Sequence, residues 1–150
     1  MNIITYKSGY KYQLKGDYHL TATGIEPEEA IDLDYIRLTK KGDLLLKSGY
    51  AWDGPSGPAI DTRNFMRASL VHDAFYQLMR EGHLAASRFR DKADRLLQKI
   101  CLEDGMSFIR ALWVYYGVKW FARSAASTQR RKPIIYAPFA PVETLDGKSF

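Results

Sequence analysis

Fourteen residues divide this chain into two parts ruled by different periodicities. The block S-G-Y-A-W-D-G-P-S-G-P-A-I-D, residues 48–61, holds three glycines and two prolines. That density excludes regular structure, because proline lacks an N–H and glycine costs backbone entropy. Its Tyr50, Trp52 and Ile60 are nevertheless too apolar for a floppy surface loop, so a packed loop with a fixed path is expected. The two parts it joins must fold by different rules.

Before the block the pattern is that of strands. Residues 10–14 and 18–23 are β-rich around a Gly16-Asp17 turn signal. In residues 24–30, Pro27 followed by acids suits the first turn of a short helix. Residues 31–38 alternate, with Ile31, Leu33 and Tyr35 on one side and Asp32 and Asp34 on the other. T-K-K-G-D at 39–43 then turns the chain into 44–47, completing a hairpin.

After the block the period becomes helical. Ala68, Val71, Phe75 and Leu78 line a helix expected over 64–81, with Asn64 as its cap. Gly82 and His83 break it. Phe89, Ala93, Leu96, Leu97 and Ile100 form a second stripe over 87–103, ended near Gly105. Residues 107–122 make a third, aromatic helix. Pro133, Pro138 and Pro141 enforce an extended tail that wraps its own body or docks on a neighbour. The expected fold is α+β, an N-terminal antiparallel β region followed by three helices, the second antiparallel to the first. It is read as one globular domain over 1–132 (β region 1–47, Gly/Pro loop 48–61, helices 64–125) with an extended C-terminal tail, 133–150.

Composition narrows the class. With 150 residues and 46% hydrophobic content, the chain can bury one core. A single cysteine, Cys101, rules out an intrachain disulfide, which suits a reducing compartment or a fold that needs no covalent staple. The start, M-N-I-I-T-Y-K-S, lacks the pattern of a signal peptide. Residues 111–122, the most apolar run, are too short to span a bilayer and carry Lys119. Charge is uneven. Residues 17–36 contain six acids and no Lys or Arg, whereas 105–142 contain six bases and no acid. Two solvated faces account for this, and so does a basic face that meets anionic lipid or another subunit. Arg130-Arg131-Lys132 is too short to make nucleic acid the expected partner.

Chemistry concentrates in S-L-V-H-D-A-F-Y, residues 69–76. His72 and Tyr76 are four apart and share a helix face, with Asp73 about a quarter-turn away. Asp94 follows His72 by 22 positions (94 − 72), the length needed to run down one helix, turn and return beside it. A histidine at the edge of an apolar face is often a buried polar residue with a satisfied hydrogen bond. The neighbouring acids point further. One imidazole nitrogen can take a proton from water while Asp94 fixes the tautomer through the other and Tyr76 steadies the carboxylate. Asp73 can hold a hard cation, and calcium suits oxygen ligands, with Asp53 and the Gly54 carbonyl as the loop's contribution. His19, His72, His83 and Cys101 lack zinc-ligand spacing, and Ser56 and Ser69 sit in no nucleophile elbow.

These residues carry a resemblance. His72, Asp73 and Tyr76, followed by A-D-R-L-L-Q-K-I-C-L at 93–102, resemble the two antiparallel active-site helices of the phospholipase A2 superfamily, whose prokaryotic branch has a similar helix spacing. The resemblance implies His72 as general base through water and Asp73 as calcium ligand. It implies Asp94 as the group that orients the histidine, Tyr76 as its support, and Asp53 and Gly54 as loop ligands. The cysteines that flank the histidine helix in the secreted enzymes are absent, and W-D-G-P-S-G-P replaces their glycine-dense calcium loop. Over residues 48–121, the order of a G-Y-A-W-D loop, a V-H-D-A-F-Y helix, an A-D helix and an aromatic Y-G-V-K-W-F helix is similar to a phage and prophage family catalogued as domain of unknown function 1353. That likeness implies a phage or prophage setting, with the protein in the virion or in the cytoplasm of the bacterial host.

Two functions are therefore expected to compete. One is a calcium-assisted hydrolase acting on an ester or amide, phospholipid first, at an anionic membrane or other cell-envelope substrate. The other is a non-catalytic component of a phage particle, in the tail or neck, whose 133–142 arm clamps other phage structural proteins.

Overall fold

The computed structural model describes residues 4–6, 12–53, 63–125 and 135–137. In the first part, β3 (Tyr18–Leu20), β4 (Ile31–Asp32), β5 (Ile36–Leu38) and β6 (Leu44–Leu46) form an antiparallel sheet in the order β3-β6-β5-β4. Period-two alternation sets its faces. Ile31, Ile36, Leu38, Leu44 and Leu46 are buried, while Asp32 and Arg37 are exposed. Two further antiparallel pairs complete the β part: β1 (Ile4–Tyr6) with β8 (Ile135–Ala137), and β2 (Tyr12–Gln13) with β7 (Ala51–Trp52).

Three helices follow: α1 (Arg63–Arg80), α2 (Ala86–Glu103) and α3 (Phe108–Ala125). The fold is α+β, as the two periodicities require. Glycines stop the first two helices where expected. The Gly82 and His83 amides donate to the Met79 and Leu78 carbonyls, and the Gly105 and Met106 amides donate to those of Leu102 and Cys101. Both are six-to-one, five-to-two caps, which need a left-handed residue, and Gly82 and Gly105 have φ of +82° and +87°. The short link after the first cap returns α2 antiparallel to α1. Arg67 near the start of α1 confirms the direction, donating to Glu103, the last residue of α2, at 3.1 Å and to Asp104 just beyond it at 2.7 and 2.9 Å. Its remaining N–H reaches the Tyr18 hydroxyl at 3.2 Å, tying both helices to the sheet. One apolar cluster runs from Ile25 and the inner sheet face through α1 and α2 to Ala111 of α3.

Three expectations need correction. Residues 31–38 are not one strand: β4 and β5 form a tight hairpin, with Ile31 opposite Leu38 and Asp32 opposite Arg37. A single strand cannot hold Ile31 and Leu33 on the same face as Ile36 and Leu38, because the parity shifts between them. No helix forms at 24–30. That stretch is irregular, with bends at 24 and 28–29, and docks on the β5–β6 turn, where the Thr23 amide and hydroxyl both donate to the Gly42 carbonyl, at 3.1 and 2.7 Å. Docking buries Ile25 and Pro27. Residues 48–61 are not wholly irregular, since Ala51–Trp52 pairs with β2 and Trp52 is buried. Residues 54–62, including Ile60, lie outside the described residues. So does the proposed tail apart from β8, which pairs with this chain's own N-terminal strand.

Gly42 is a point of the sheet part crowded by backbone. Its φ is +79°, and a Cβ there would sit 3.1 Å from the Ile25 carbonyl oxygen and 3.2 Å from Thr23 Oγ1. A left-handed residue with a side chain costs about 1–2 kcal/mol, and this site adds crowding against backbone. Gly42→Ala should therefore lower the unfolding free energy in urea by at least that amount. An unchanged midpoint would contradict the docking described here.

Candidate active site

The seam between α1 and α2 carries the polar residues. Phe75, Leu78, Leu97 and Ile100 are fully buried on either side of it, so a polar atom in the seam must find its partners within the protein. Asp94 is only 1% exposed. Its Oδ1 lies 2.9 Å from His72 Nε2 and accepts the Tyr76 hydroxyl at 2.7 Å. The four-residue spacing of His72 and Tyr76 is what allows one oxygen to meet both. Their rings also stack on each other, centroids 4.1 Å apart and tilted 31°. Burial first, then the hydrogen bond to Asp94 and its negative charge, pushes the Tyr76 phenol well above its usual range. Tyr76 therefore stays a neutral donor.

The geometry selects a tautomer. A carboxylate accepts, so the nitrogen facing it carries the proton. With Nε2–H directed at Asp94, the neutral ring keeps its lone pair on Nδ1. That nitrogen lies 4.0 Å from Asp73 Oδ1. Asp73 is about one-third exposed at the side chain (32%), whereas the whole of His72 retains 8%. The buried carboxylate is thus on one side of the imidazole and the more open one on the other.

The chain segment from Tyr50 to Asp53 is laid along α1 by two side-chain contacts. Trp52 Nε1–H donates to Ser69 Oγ at 3.3 Å, and the Tyr50 hydroxyl donates to Gln77 Oε1 at 3.1 Å. Ser69, Asp73 and Gln77 are spaced i, i+4, i+8 and form one row on the helix. Asp73 therefore falls between the two points where that segment is anchored, and Asp53 follows directly after β7, partly buried. Ser69, Gln77, Tyr50 and Trp52 did not emerge from the sequence as positioning residues. The signal was present in the four-residue row through Asp73.

Of the residues expected to act, His72, Asp94 and Tyr76 are in direct contact, and Asp73 adjoins them. Gly54 lies outside the described residues. Among the described residues, no group of three or more His, Cys, Asp or Glu side chains could hold a metal ion. The donor chemistry at Asp73 and Asp53 is hard oxygen, which fits calcium in type, and further ligands would have to be carbonyl or water oxygens. A groove of about 660 Å³ lies elsewhere, between residues 27–33 and 82–89, lined in part by Glu28, Asp32, His83, Arg88 and Phe89. It includes none of the seam residues.

Comparison with family models, with curated proteins and with solved structures found no match. The site is therefore read from its own geometry.

Tyr76→Phe removes one donor from a buried carboxylate and nothing else. A hydrogen bond to a charged group is worth about 1.5–3 kcal/mol, so urea unfolding should show a loss in that range. A tyrosine whose folded value is raised contributes stability that is fully present below its ordinary value of 10.0 and is lost as pH rises beyond it. Part of the wild type's alkaline destabilisation should accordingly vanish in Tyr76→Phe. Equal stability at neutral pH and identical alkaline limbs would show that the hydroxyl is not bound to Asp94.

Proposed function

We propose that this protein is a histidine–aspartate hydrolase of phage or prophage setting, with His72 as general base. The observation that carries the reading is the contact of His72 Nε2 with the buried Asp94 at 2.9 Å, shared with Tyr76. It presents Nδ1 in the form that accepts a proton from water, and Asp94 stabilises the imidazolium that results. Proton transfer from water to Nδ1 leaves hydroxide to attack a carbonyl carbon. The same imidazolium can then return the proton to the departing alkoxide or amine, so protons balance over the cycle.

Asp73, with Asp53 and the Gly54 carbonyl from the loop, would hold a divalent ion, calcium by ligand chemistry, which when bound supplies positive charge for the developing oxyanion. Tyr76 and Asp94 act only through the ring. The resemblance of the two helices to phospholipase A2 makes a glycerophospholipid ester the first substrate to test.

One observation favours a second reading. His72 keeps only 8% of its surface, as suits a packing device sealed between helices. On that reading the network stiffens a structural component of a phage particle, and no water is activated.

A single set of assays separates the two. Wild type should release fatty acid from mixed phospholipid vesicles in the presence of millimolar calcium and lose that activity in EDTA. His72→Ala should abolish turnover with an unchanged circular dichroism spectrum, and Asp73→Asn should lose the calcium response. Absence of turnover by the wild type on phospholipid, simple ester and peptidoglycan substrates would remove the hydrolase and leave the structural component.

A further inference from the structure

Among the described residues, helix α3 packs on α2 with one side. Ala111 and Tyr115 are buried, with Val114 and Val118 packed against the core. On the other side Ile109, Trp113 and Tyr116, at spacing i, i+4, i+7, are 71%, 77% and 53% exposed, and Phe108 at the helix start is 65% exposed. Bulky side chains of this kind are the ones a folded protein ordinarily hides, and here they are contiguous along one helix face.

The charges that α3 itself carries are of one sign. Residues 105–142 contain Arg110, Lys119, Arg123, Arg130, Arg131 and Lys132 and no acid. Asp91 of α2 lies against α3. It is met by Arg95 at 2.8 Å, the Tyr115 hydroxyl at 3.3 Å and Lys119 at 3.5 Å. A second copy docked face to face would bring two such basic helices together, which opposes association. An anionic surface is attracted by them.

Tryptophan and tyrosine beside basic residues suit the boundary between lipid headgroups and acyl chains, where an apolar ring and a polar edge are both accommodated. No helix of the described residues is long and apolar enough to cross a membrane. A face of this kind would rest at that boundary with its rings toward the acyl chains.

We propose that the outer face of α3, centred on Ile109, Trp113 and Tyr116, docks this protein on an anionic lipid surface. The inference is independent of hydrolysis at His72, since docking needs no bond to break.

The test uses the full-length chain and vesicles of ether-linked lipids, which offer no acyl ester to cleave. Vesicles of phosphatidylcholine with about one-third phosphatidylglycerol should bind the wild type in flotation and shift its tryptophan emission to the blue. Vesicles of phosphatidylcholine alone should bind it much more weakly, and salt should release it. Trp113→Glu and Ile109→Glu change highly exposed positions, so both variants should keep the wild-type circular dichroism and melting point. Each should lower partitioning by on the order of tenfold or more. His72→Ala should bind like the wild type. The proposal is overturned if the wild type ignores the anionic vesicles, or if both glutamate variants bind them equally well. It is also overturned if light scattering shows a wild-type dimer that the glutamate variants dissociate, because the face would then belong to a second copy.

Discussion

A carboxylate sealed between two helices sets the terms for this fold. Out of water, Asp94 would cost several kcal/mol if nothing met it, and nearly all of that penalty falls on the seam where α1 and α2 touch. His72 and Tyr76 remove the penalty by directing an N–H and an O–H at the same oxygen. Doing so fixes how far α2 slides along α1, because a shift of one residue would carry Asp94 off that face. Packing between Phe75, Leu78, Leu97 and Ile100 supplies much of the cohesion. The polar trio supplies the register, and Arg67 with Asp104 and Tyr18 repeats that register near the other end of the helix pair.

The same arrangement has a chemical consequence. An imidazole whose Nε2–H is bound to a buried acceptor has no freedom to turn, so its second nitrogen is presented in one direction. Asp73 stands on that side, and the anchoring of Trp52 on Ser69 and Tyr50 on Gln77 brings the β part of the molecule over the same helix row. Stability and catalysis would thus draw on one set of bonds.

Much of this was legible in the residues. Helix ends were marked by Gly82 and Gly105, whose positive φ values are the physical reason for the marks. The contact between His72 and Asp94 followed from spacing, since 22 residues cover half of one helix, a short turn and half of the next. Other features were hidden by signals that are local and ambiguous. Alternation at 31–38 read as one strand because both arms of the hairpin alternate, and only the parity change between Leu33 and Ile36 marks the bend. Pro27 and its acids suggested a helix start, but no apolar helical stripe follows, and Thr23 and Ile25 gain more by docking on Gly42. β7 was lost among glycines and prolines because two residues suffice to pair it. The open side of α3 could not be read at all, since aromatic residues occur all round that helix and periodicity alone could not tell the packed side from the exposed one.

The central claim is that Asp94 holds the proton on Nε2 of His72 and leaves Nδ1 as the base. Nitrogen-15 NMR of the histidine side chains at a pH where the ring is neutral reads this directly, with Asp94→Asn to assign the signal. The account predicts a single Nε2–H tautomer for His72 in the wild type, with that preference reduced in the variant. A wild-type His72 that carries its proton on Nδ1, or exchanges freely between the two forms, would contradict it.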